Sequence, residues 1–405
     1  MEKFASASAL VAKRQPDLPL LGLRPHAAGR AARWFLDNFP GDVAYAYKAN
    51  SSVFLLGALY GAGIRHFDVA SLAEISDAAT IPGAELHFMH PVKARDNIRR
   101  AYFDYGLRSF ALDSEDELAK IMAETGGAKD LLLWVRLAVQ PLHSRMPLDR
   151  KYGISGVQAA RLLMHTRNVA AELGVTFHVG SQTISPDAFV KALDDVAKLM
   201  ANSGVTLDRL DVGGGFPARY GKGPIAPLSE FMTAISKGVA RAALPAHCRL
   251  MCEPGRALVA EAESLIVKVD ARRGNELFIN EGTYGILFDA GHMGWLFPVR
   301  MVSQPGAAAG RMDQAPVRQD KLLAFSFWGP SCDTIDFIEG PFMLPSNIGE
   351  GDYIEIGMTG AYGRALASRF NGYGDHDEAI LLDEPMYSMF QPAARVLTSA
   401  QSLSA

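Results

Sequence analysis

The sequence predicts an α/β protein built from a parallel (β/α)8 TIM barrel and a C-terminal antiparallel β domain. From about Pro19 to Pro254, short apolar runs alternate with Ala-rich amphipathic stretches. Roughly eight such units can be counted, and eight repeating βα units imply a closed barrel. After about Glu261, strand-like runs follow one another with Gly, Pro and Asp turns between them, which is typical of an antiparallel β domain.

The barrel strands are predicted at apolar runs that read as buried strands. These are Val43–Tyr47, Phe67–Val69, Leu86–Met89, Phe110–Leu112, Leu131–Val135, Phe177–Val179, Leu210–Val212 and Leu250–Cys252. The amphipathic stretches between them predict the helices Ala27–Asn38, Leu72–Thr80, Arg95–Tyr105, Glu115–Glu124, Gly156–Glu172, Pro186–Ser203 and Leu228–Leu244.

The C-terminal strands are predicted at Ser264–Val269, Glu276–Asn280, Val299–Val302, Lys321–Ser326 and Tyr353–Ile356. The Ala/Gly/Gln-rich segment Ala307–Val317 predicts an exposed loop, and the small, polar tail Leu397–Ala405 predicts a frayed end. We expect residues 22–260 to form the barrel domain. Residues 261–405 should form the β domain, which the N-terminal segment 1–21 joins through a strand.

Composition narrows the class of protein. The chain has 405 residues, 49% of them hydrophobic, and a net charge of -4 without a long basic run, so nothing favours nucleic acid or an anionic membrane. Three cysteines form no disulfide framework, and a reducing cytoplasm fits them best. The apolar stretch Ala7–Val11 is too weak for a signal peptide, and no segment approaches the ~20 apolar residues that span a bilayer.

The tetrapeptide Tyr47-Lys48-Ala49-Asn50 is the strongest chemical signal. Lys48 ends an apolar strand, so burial is expected to lower its pKa. A neutral amine at that place can bind an aldehyde cofactor covalently. The alternative is a strand-end lysine whose amine reaches solvent.

Other polar residues also fall at predicted strand ends, where barrel enzymes place their active sites. Asp68 lies inside the segment Phe67–Ser71, and His178 ends another strand. The glycine triplet Gly213–Gly215 follows the next strand, where its N–H groups can cradle a phosphate. Glu253 follows the last strand and needs a cationic partner if buried, such as a protonated pyridine nitrogen. Arg256 is placed to contact the phosphate.

Each residue also has a purely structural interpretation. Glu253 and Arg256 could pair with each other, the glycines could form a plain turn, and His178 could be a core residue. His87 and His90 resemble a metal pair, but they point to opposite faces of a strand and no carboxylate or thiol cluster joins them. We therefore interpret both histidines as structural and expect no metal.

In the C-terminal part, Trp328-Gly329-Pro330-Ser331-Cys332-Asp333 places a thiol beside a carboxylate. Gly360-Ala361-Tyr362 and Phe370-Asn371-Gly372 follow. Together with YKAN, HVGSQ, GGGFP and EPGR, these segments closely resemble the fold type III pyridoxal-phosphate-dependent basic amino-acid decarboxylases. This is the ornithine, lysine and diaminopimelate decarboxylase group, which shares the alanine racemase fold.

The resemblance implies a role for each matching residue. Lys48 would bind the aldehyde of pyridoxal 5'-phosphate (PLP), Glu253 would pair with its ring nitrogen, and His178 would stack on its ring. Ser181, Gly213, Gly214, Gly215, Arg256 and Tyr362 would hold the phosphate, and Asp68 and Arg136 would support the reactive face. Cys332 would protonate the product across the two-fold interface of a homodimer.

The resemblance also bears on the substrate. Cys332-Asp333 matches the ornithine and lysine enzymes, in which the aspartate binds a distal ammonium, whereas the diaminopimelate enzymes usually carry Cys-Glu. Asp289 would be the second carboxylate, and Tyr284 and Phe370 would complete the substrate site. L-Ornithine to putrescine, L-lysine to cadaverine, or both are the expected reactions, since one methylene gives only ~1 kcal/mol of discrimination.

Other functions stay open at this point. Diaminopimelate or another amino acid could be the substrate, and an amino-acid racemase on the same fold would use a second base such as Tyr284. A regulatory PLP-binding homologue without activity would have lost cofactor residues, and here they are all present.

Overall fold

Eight parallel strands close into a barrel, as the sequence predicts. The computed structural model describes residues 1–147, 150–221, 223–302 and 321–390. The barrel strands are β3 Asp42–Ala46, β4 His66–Val69, β5 Glu85–Phe88, β6 Ser109–Leu112, β7 Leu132–Leu137, β9 Glu172–Phe177, β11 Arg209–Asp211 and β12 Arg249–Cys252. The last of them, β12, pairs with the first, β3, and so closes the cylinder.

The helices that follow the strands cover the barrel. They are α2 Pro25–Asn38, α3 Val53–Ala62, α4 Leu72–Ala78, α5 Arg95–Phe103, α6 Glu115–Glu124, α7 Gly156–Arg167, α8 Asp187–Ser203 and α9 Leu228–Ala242. The sequence analysis missed α3, because its residues VFLLGALYGA are apolar on nearly every side and carry little helical periodicity. It also extended α7 to Glu172, which instead begins strand β9.

The barrel interior is a packed core. Trp134 is buried together with Ala44, Met89, Ala111 and Met251. Small neighbours are needed around the indole, and a Cβ at position 174, which is a glycine, would stand only 2.2 Å from the Trp134 ring. Open space is left at the carboxyl ends of the strands, where barrel proteins place their sites.

A mixed sheet forms the second part of the chain. Its strands are β1 Lys3–Phe4, β2 Leu20–Leu23, β13 Glu263–Arg273, β14 Glu276–Ile279, β15 Val299–Val302, β16 Leu322–Trp328, β17 Phe337–Pro345, β18 Tyr353–Ile356 and β19 Asp377–Leu381. Most neighbours are antiparallel, but β1–β19, β19–β2 and β14–β16 are parallel. The N-terminal strands join this sheet because β2 pairs with both β13 and β19. The division at residues 22 and 260 into separate domains remains a proposal.

Shorter elements complete the chain. A two-stranded antiparallel sheet of β8 Ser144–Met146 and β10 Ser181–Thr183 lies beside the barrel mouth. The remaining helices are α1 Ala7–Arg14, α10 Arg256–Val259, α11 Phe288–Met293 and α12 Gly363–Leu366. The predicted loop Ala307–Val317 and tail Leu397–Ala405 lie outside the described residues. Within the described ranges, no helix has the length and hydropathy required to cross a membrane.

Candidate active site

Lys48 lies in a short turn, Tyr47–Ala49, that follows β3. Its Nζ donates a hydrogen bond to Oδ2 of Asp68, on the neighbouring strand β4, at 2.7 Å. The other Asp68 oxygen, Oδ1, is buried without a hydrogen-bond partner in the described part of the chain. The resemblance assigns Lys48 to the aldehyde and Asp68 to the reactive face, and the structure brings the two side chains into contact.

The pKa of Lys48 differs from the sequence expectation. Burial lowers this pKa, as expected, but the negative charge of Asp68 and the nearby Tyr362 and Glu253 raise it, and the net shift is upward. The prediction of a lowered pKa is therefore wrong. The ion pair with Asp68 offsets the loss of hydration, and 44% of the lysine side chain remains exposed.

Asn50, in the same tetrapeptide, ties the lysine turn to the β domain. Its side-chain amide donates to the carbonyl of Gly360 at 2.9 Å. The Tyr362 N–H donates to the carbonyl of Ala49 at 2.8 Å. These bonds bring the segment that carries Tyr362 over the barrel mouth, where it lines the same cavity as Lys48.

Glu253 and Asp211 are buried carboxyls at the ends of β12 and β11. Burial, followed by the charges of Asp211 and Asp68, raises the pKa of Glu253 well above its ordinary value. Burial likewise raises the pKa of Asp211 to about 7, although hydrogen bonds from Thr176 and the Gly213 N–H oppose this. Oε1 of Glu253 has no hydrogen-bond partner in the described chain. A cationic group against Glu253 would relieve this unfavourable burial.

The glycine triplet is wedged between neighbouring strand ends. Gly213 has φ +67° and Gly215 has φ +99°, conformations that side chains rarely adopt. A Cβ added at Gly214 would stand 2.6 Å from the carbonyl oxygen of Glu253. A Cβ added at Gly215 would stand 2.4 Å from the carbonyl oxygen of Gly180. Close packing of the barrel mouth therefore requires these glycines. Gly215 also lines the cavity, as the cradle predicted from the sequence requires.

His178 follows β9 and lines the cavity together with Ser181. Its Nδ1 accepts a hydrogen bond from the Gly180 N–H at 3.0 Å. Burial and then the positive charges of Arg136 and Lys48 lower the pKa of His178 well below its ordinary value. The imidazole is therefore neutral near pH 7, as suits a ring that stacks on an aromatic ligand.

The Arg256 guanidinium is enclosed by carboxylate and aromatic groups. Its Nη1 donates to Oδ2 of Asp289 at 2.9 Å and to the Tyr220 hydroxyl at 2.8 Å. The guanidinium carbon lies 4.4 Å from the Trp295 ring centroid and 4.7 Å from that of Tyr362. The alternative in which Arg256 pairs with Glu253 is thus wrong, because Arg256 forms its ion pair with Asp289.

The cavity at the barrel mouth is lined by residues from six parts of the chain. Its lining is Ala46, Lys48, Asp68, His178, Ser181, Gly215, Phe216, Glu253, Gly255, Arg256 and Tyr362. Among the described side chains, Asp68 Oδ1, Glu253 Oε1, Arg256 Nε and Asp289 Oδ1 are buried without partners. Unpaired acceptors near Lys48 and an unpaired donor on Arg256 fit a small ligand with a protonated ring nitrogen and an anionic arm.

A second cluster lies on the surface of the β domain. Cys332 is exposed, and its N–H and Sγ both donate to Oδ1 of Asn371, at 3.1 and 3.3 Å. The Tyr284 hydroxyl donates to Oδ2 of Asp333 at 2.6 Å, and its ring packs on Phe370 at 4.4 Å between centroids. The hydrogen bond from Tyr284 lowers the pKa of Asp333, so this carboxylate stays ionised.

The two clusters are separate in one chain. The described lining of the barrel cavity includes none of Cys332, Asp333, Tyr284 or Phe370, whereas Asp289 is joined to it through Arg256. The sequence analysis placed Asp289 and Asp333 in one substrate site. The structure gives no contact between them, so a shared site stays a prediction.

His87 and His90, which resemble a metal pair in the sequence, both have protein partners. His87 is buried, with its ring nitrogens 2.8 Å from the Ser109 Oγ and 3.1 Å from a His66 ring nitrogen. Burial, then His66 and Arg209, lower the pKa of His87 to about 3. His90 contacts the Tyr152 hydroxyl at 3.0 Å. Both contacts agree with the structural interpretation.

Sequence reasoning missed three kinds of residue around the cavity. Asn50 could have been found, because it completes the motif of Lys48. Asp211 directly precedes the glycine triplet, and its side chain caps Gly213 at 2.9 Å. Tyr220 and Trp295 gave no signal, because only the fold brings their rings together, 5.1 Å apart, beside Arg256.

A lysine at the mouth of a closed parallel barrel, facing a buried carboxyl and joined to a β domain, defines an alanine racemase-like PLP enzyme. Residues 27–260 match the family model described as "Pyridoxal-dependent decarboxylase, pyridoxal binding domain". The chain belongs to this family of fold type III PLP-dependent decarboxylases.

Relatives of known activity agree with this membership. The chain is 32% identical over 356 residues to a lysine/ornithine decarboxylase of Selenomonas ruminantium, covering 85% of each. It superimposes on an SrLDC mutant solved in complex with PLP, with a TM-score of 0.80, 28% identity, and 94% and 97% of the two chains covered. A lysine/ornithine decarboxylase from Vibrio vulnificus, solved with putrescine, gives a TM-score of 0.77, 26% identity, and 94% and 99% coverage.

Proposed function

We propose that this PLP-dependent decarboxylase acts on a basic L-amino acid, converting L-ornithine to putrescine, L-lysine to cadaverine, or both, in polyamine biosynthesis. The observation that carries the proposal is a buried carboxyl oxygen of Glu253 that has no partner among the described residues and shares one cavity with Lys48. The named relatives are lysine/ornithine and ornithine decarboxylases, which supports the choice of substrate class.

Each residue of the cavity has a proposed task toward PLP. Lys48 would bind the aldehyde carbon, Glu253 would hold the ring nitrogen in its protonated form, and the neutral His178 would lie against the ring. Arg256, Tyr362, Ser181 and the N–H groups of Gly213–Gly215 hold the phosphate. Asp68 and Arg136 set the charge near the reacting carbon.

The chemistry follows from these charges. A protonated pyridine ring supplies the electron sink that decarboxylation needs when carbon dioxide leaves Cα. Glu253 makes this possible by stabilising the proton on the ring nitrogen. Asp68 keeps the Lys48 amine oriented into the cavity, and Cys332 is proposed to deliver the proton that the product carbon takes up.

The proposed substrate site binds a distal ammonium. Asp333 is ionised, and one buried oxygen of Asp289, Oδ1, has no partner in the part of the chain that the structure describes. An ammonium that loses its hydration needs such carboxylates as compensation. Tyr284 and Phe370 would pack along the aliphatic part of the substrate.

We also propose a homodimer with shared active sites. Cys332 is exposed and Asp333 lies at the surface, outside the barrel cavity of their own chain. A two-fold, isologous interface would bring these residues of one subunit to the cavity of the other. A cytoplasmic location is proposed from cysteine usage alone.

A racemase on the same fold is the second candidate and is less well supported. It needs a second base, for which Tyr284 is the available residue. The hydrogen bond that Tyr284 donates to Asp333 raises its pKa to about 12, so the phenol holds its proton near pH 7. That makes Tyr284 a poor base.

A product assay tests the proposed function. The purified protein is incubated with PLP and a single amino acid, which is L-ornithine, L-lysine, L-arginine or meso-diaminopimelate, and the products are identified by mass spectrometry. We expect putrescine or cadaverine. Decarboxylation of neither ornithine nor lysine would overturn the substrate proposal, and racemised substrate without amine would favour the second candidate.

We expect Glu253→Gln to retain PLP but to slow decarboxylation at least ~tenfold, equivalent to ~1.4 kcal/mol of activation free energy. A neutral amide cannot keep the ring nitrogen protonated, which weakens the electron sink. Turnover at saturating PLP and the bound-cofactor spectrum are measured together. Glu261→Gln, which changes another buried carboxyl outside the cavity, is the matched control and should behave as wild type. Wild-type turnover in Glu253→Gln would contradict the assigned role.

We expect Asp333→Ala to raise the Michaelis constant for L-ornithine or L-lysine at least ~tenfold, or ~1.4 kcal/mol, with an unchanged cofactor spectrum. Asp333 also accepts a hydrogen bond from the Ile335 N–H at 3.1 Å, so it caps a turn. Asp333→Asn separates the two roles, because the amide oxygen can still cap the turn but has no charge. A raised constant in both variants supports ammonium binding. If Asp333→Ala lowers thermal stability but neither variant changes the Michaelis constant, Asp333 only caps the turn and does not bind substrate.

A further inference from the structure

Gln182 has an unusual backbone conformation beside the candidate active site. It follows Ser181, which lines the cavity, in strand β10. Its φ of +56° lies in the left-handed region, which residues with a Cβ seldom occupy. The residue is nevertheless only 2% exposed. An unfavourable backbone conformation that persists in a buried residue indicates that the side chain makes compensating contacts.

The Gln182 amide provides these contacts by bonding both backbone groups of one residue, Ala218. Its Nε2 donates to the carbonyl oxygen of Ala218, and its Oε1 accepts from the Ala218 N–H at 2.9 Å. The side chain thus imitates a neighbouring strand and satisfies both backbone groups of a buried loop residue. Both hydrogen bonds require the full length of a glutamine.

Ala218, the residue that Gln182 holds, belongs to the loop that carries the glycine triplet. The Thr183 N–H donates to the Gly215 carbonyl at 3.0 Å, so residues 182 and 183 hold this loop at two points. Gly215 lies on the cavity wall, as does Ser181. Two residues beyond Ala218, the Tyr220 hydroxyl accepts a hydrogen bond from Arg256. Gln182 and its neighbour Thr183 therefore join the Ser181 segment to the glycine loop, which continues to Tyr220, the hydrogen-bond partner of Arg256.

We propose that Gln182 is a positioning residue for the cofactor phosphate, because it fixes the glycine loop against the Ser181 segment before the ligand arrives. Preorganised donors bind an anion more tightly, since less ordering is required on binding. This inference rests on the proposed function, in which the same loop cradles phosphate. Gln182 itself need not touch the ligand.

The test compares PLP with pyridoxal, which lacks the phosphate. Dissociation constants for both are measured by absorbance titration of the cofactor-free protein, for wild type and for Gln182→Asn. Asparagine tolerates the left-handed conformation but is one methylene too short to clamp Ala218. We expect the dissociation constant for PLP to rise at least ~tenfold while that for pyridoxal changes less than ~twofold. Turnover at saturating PLP should be retained.

Gln182→Gly is the second variant, in case the first folds poorly. Glycine removes the backbone strain together with the clamp, and so should also lose the preference for PLP over pyridoxal. Equal weakening of both ligands would show a general structural role and overturn the proposal, as would an unchanged preference in both variants. A wild-type protein that binds no PLP would instead refute the proposed function.

Discussion

Lys48→Ala is expected to abolish covalent attachment of PLP and to lower turnover at least ~1000-fold, equivalent to ~4 kcal/mol of activation free energy. The amine is the cavity group able to bind the aldehyde carbon, and it is held by Asp68 at 2.7 Å. The measurement is borohydride reduction of the loaded protein followed by intact-mass analysis, with turnover determined in parallel. Wild type should gain the mass of the reduced cofactor, and the variant should not.

Two controls make this result interpretable. Lys48→Arg keeps a positive charge beside Asp68, so it avoids a buried, uncompensated carboxylate while still lacking a reactive amine. It should be as inactive as Lys48→Ala. Lys93 is the rival on pKa grounds, because burial lowers its pKa to about 8, but it pairs with Glu117 and does not line the cavity. Peptide mapping that finds the label on Lys93 would disprove the assignment of Lys48.

Mixing two inactive variants is expected to restore activity. If Lys48 of one subunit works with Cys332 of the other, a dimer of Lys48→Ala with Cys332→Ala contains one intact site. Random reassortment makes half the dimers mixed, so about a quarter of wild-type activity is the ceiling. Subunits are exchanged by mild dissociation, exchange is verified with tagged chains, and amine production is then measured.

The matched control for this experiment mixes Lys48→Ala with Glu253→Gln. Both changes lie in the barrel cavity, so every site of a mixed dimer keeps one defect and activity should not exceed that of the two parents. Complete exchange without recovery in the Lys48→Ala and Cys332→Ala mixture would argue against shared sites. The exposed position of Cys332 would then need another explanation.

The sequence located most of the barrel strands and helices because their signals are local, although β9, Glu172–Phe177, shares only Phe177 with the predicted run Phe177–Val179. Burial of strands on both faces demands continuous apolar runs such as Val43–Tyr47, and amphipathic helices repeat their apolar residues at helical spacing. The errors occur where local signals fail. Helix α3 is apolar all round, and strand β19, Asp377–Leu381, carries two acidic residues and pairs with β1 and β2 from the far end of the chain.

The residues of the candidate site likewise divide into those with a local sequence signal and those without one. Lys48, His178, Glu253 and Gly213–Gly215 were predictable because each directly follows an apolar strand, and parallel strands deliver their carboxyl ends to one rim. The aromatic enclosure of Arg256 by Tyr220 and Trp295 was not predictable. These residues come from different loops and meet only through tertiary packing.

The sequence by itself therefore determined the fold class, the cofactor chemistry and the identity of the main cavity residues, because strand ends and short motifs are written in consecutive positions. Only the tertiary structure decided the pKa values of the ionisable groups in the cavity. Burial, which depends on neighbours far apart in sequence, raises the pKa of Glu253, and the ion pair with Asp68 reverses the expected shift at Lys48. It likewise decided that Gln182 clamps Ala218, because that contact joins strand β10 to a loop residue 36 positions away.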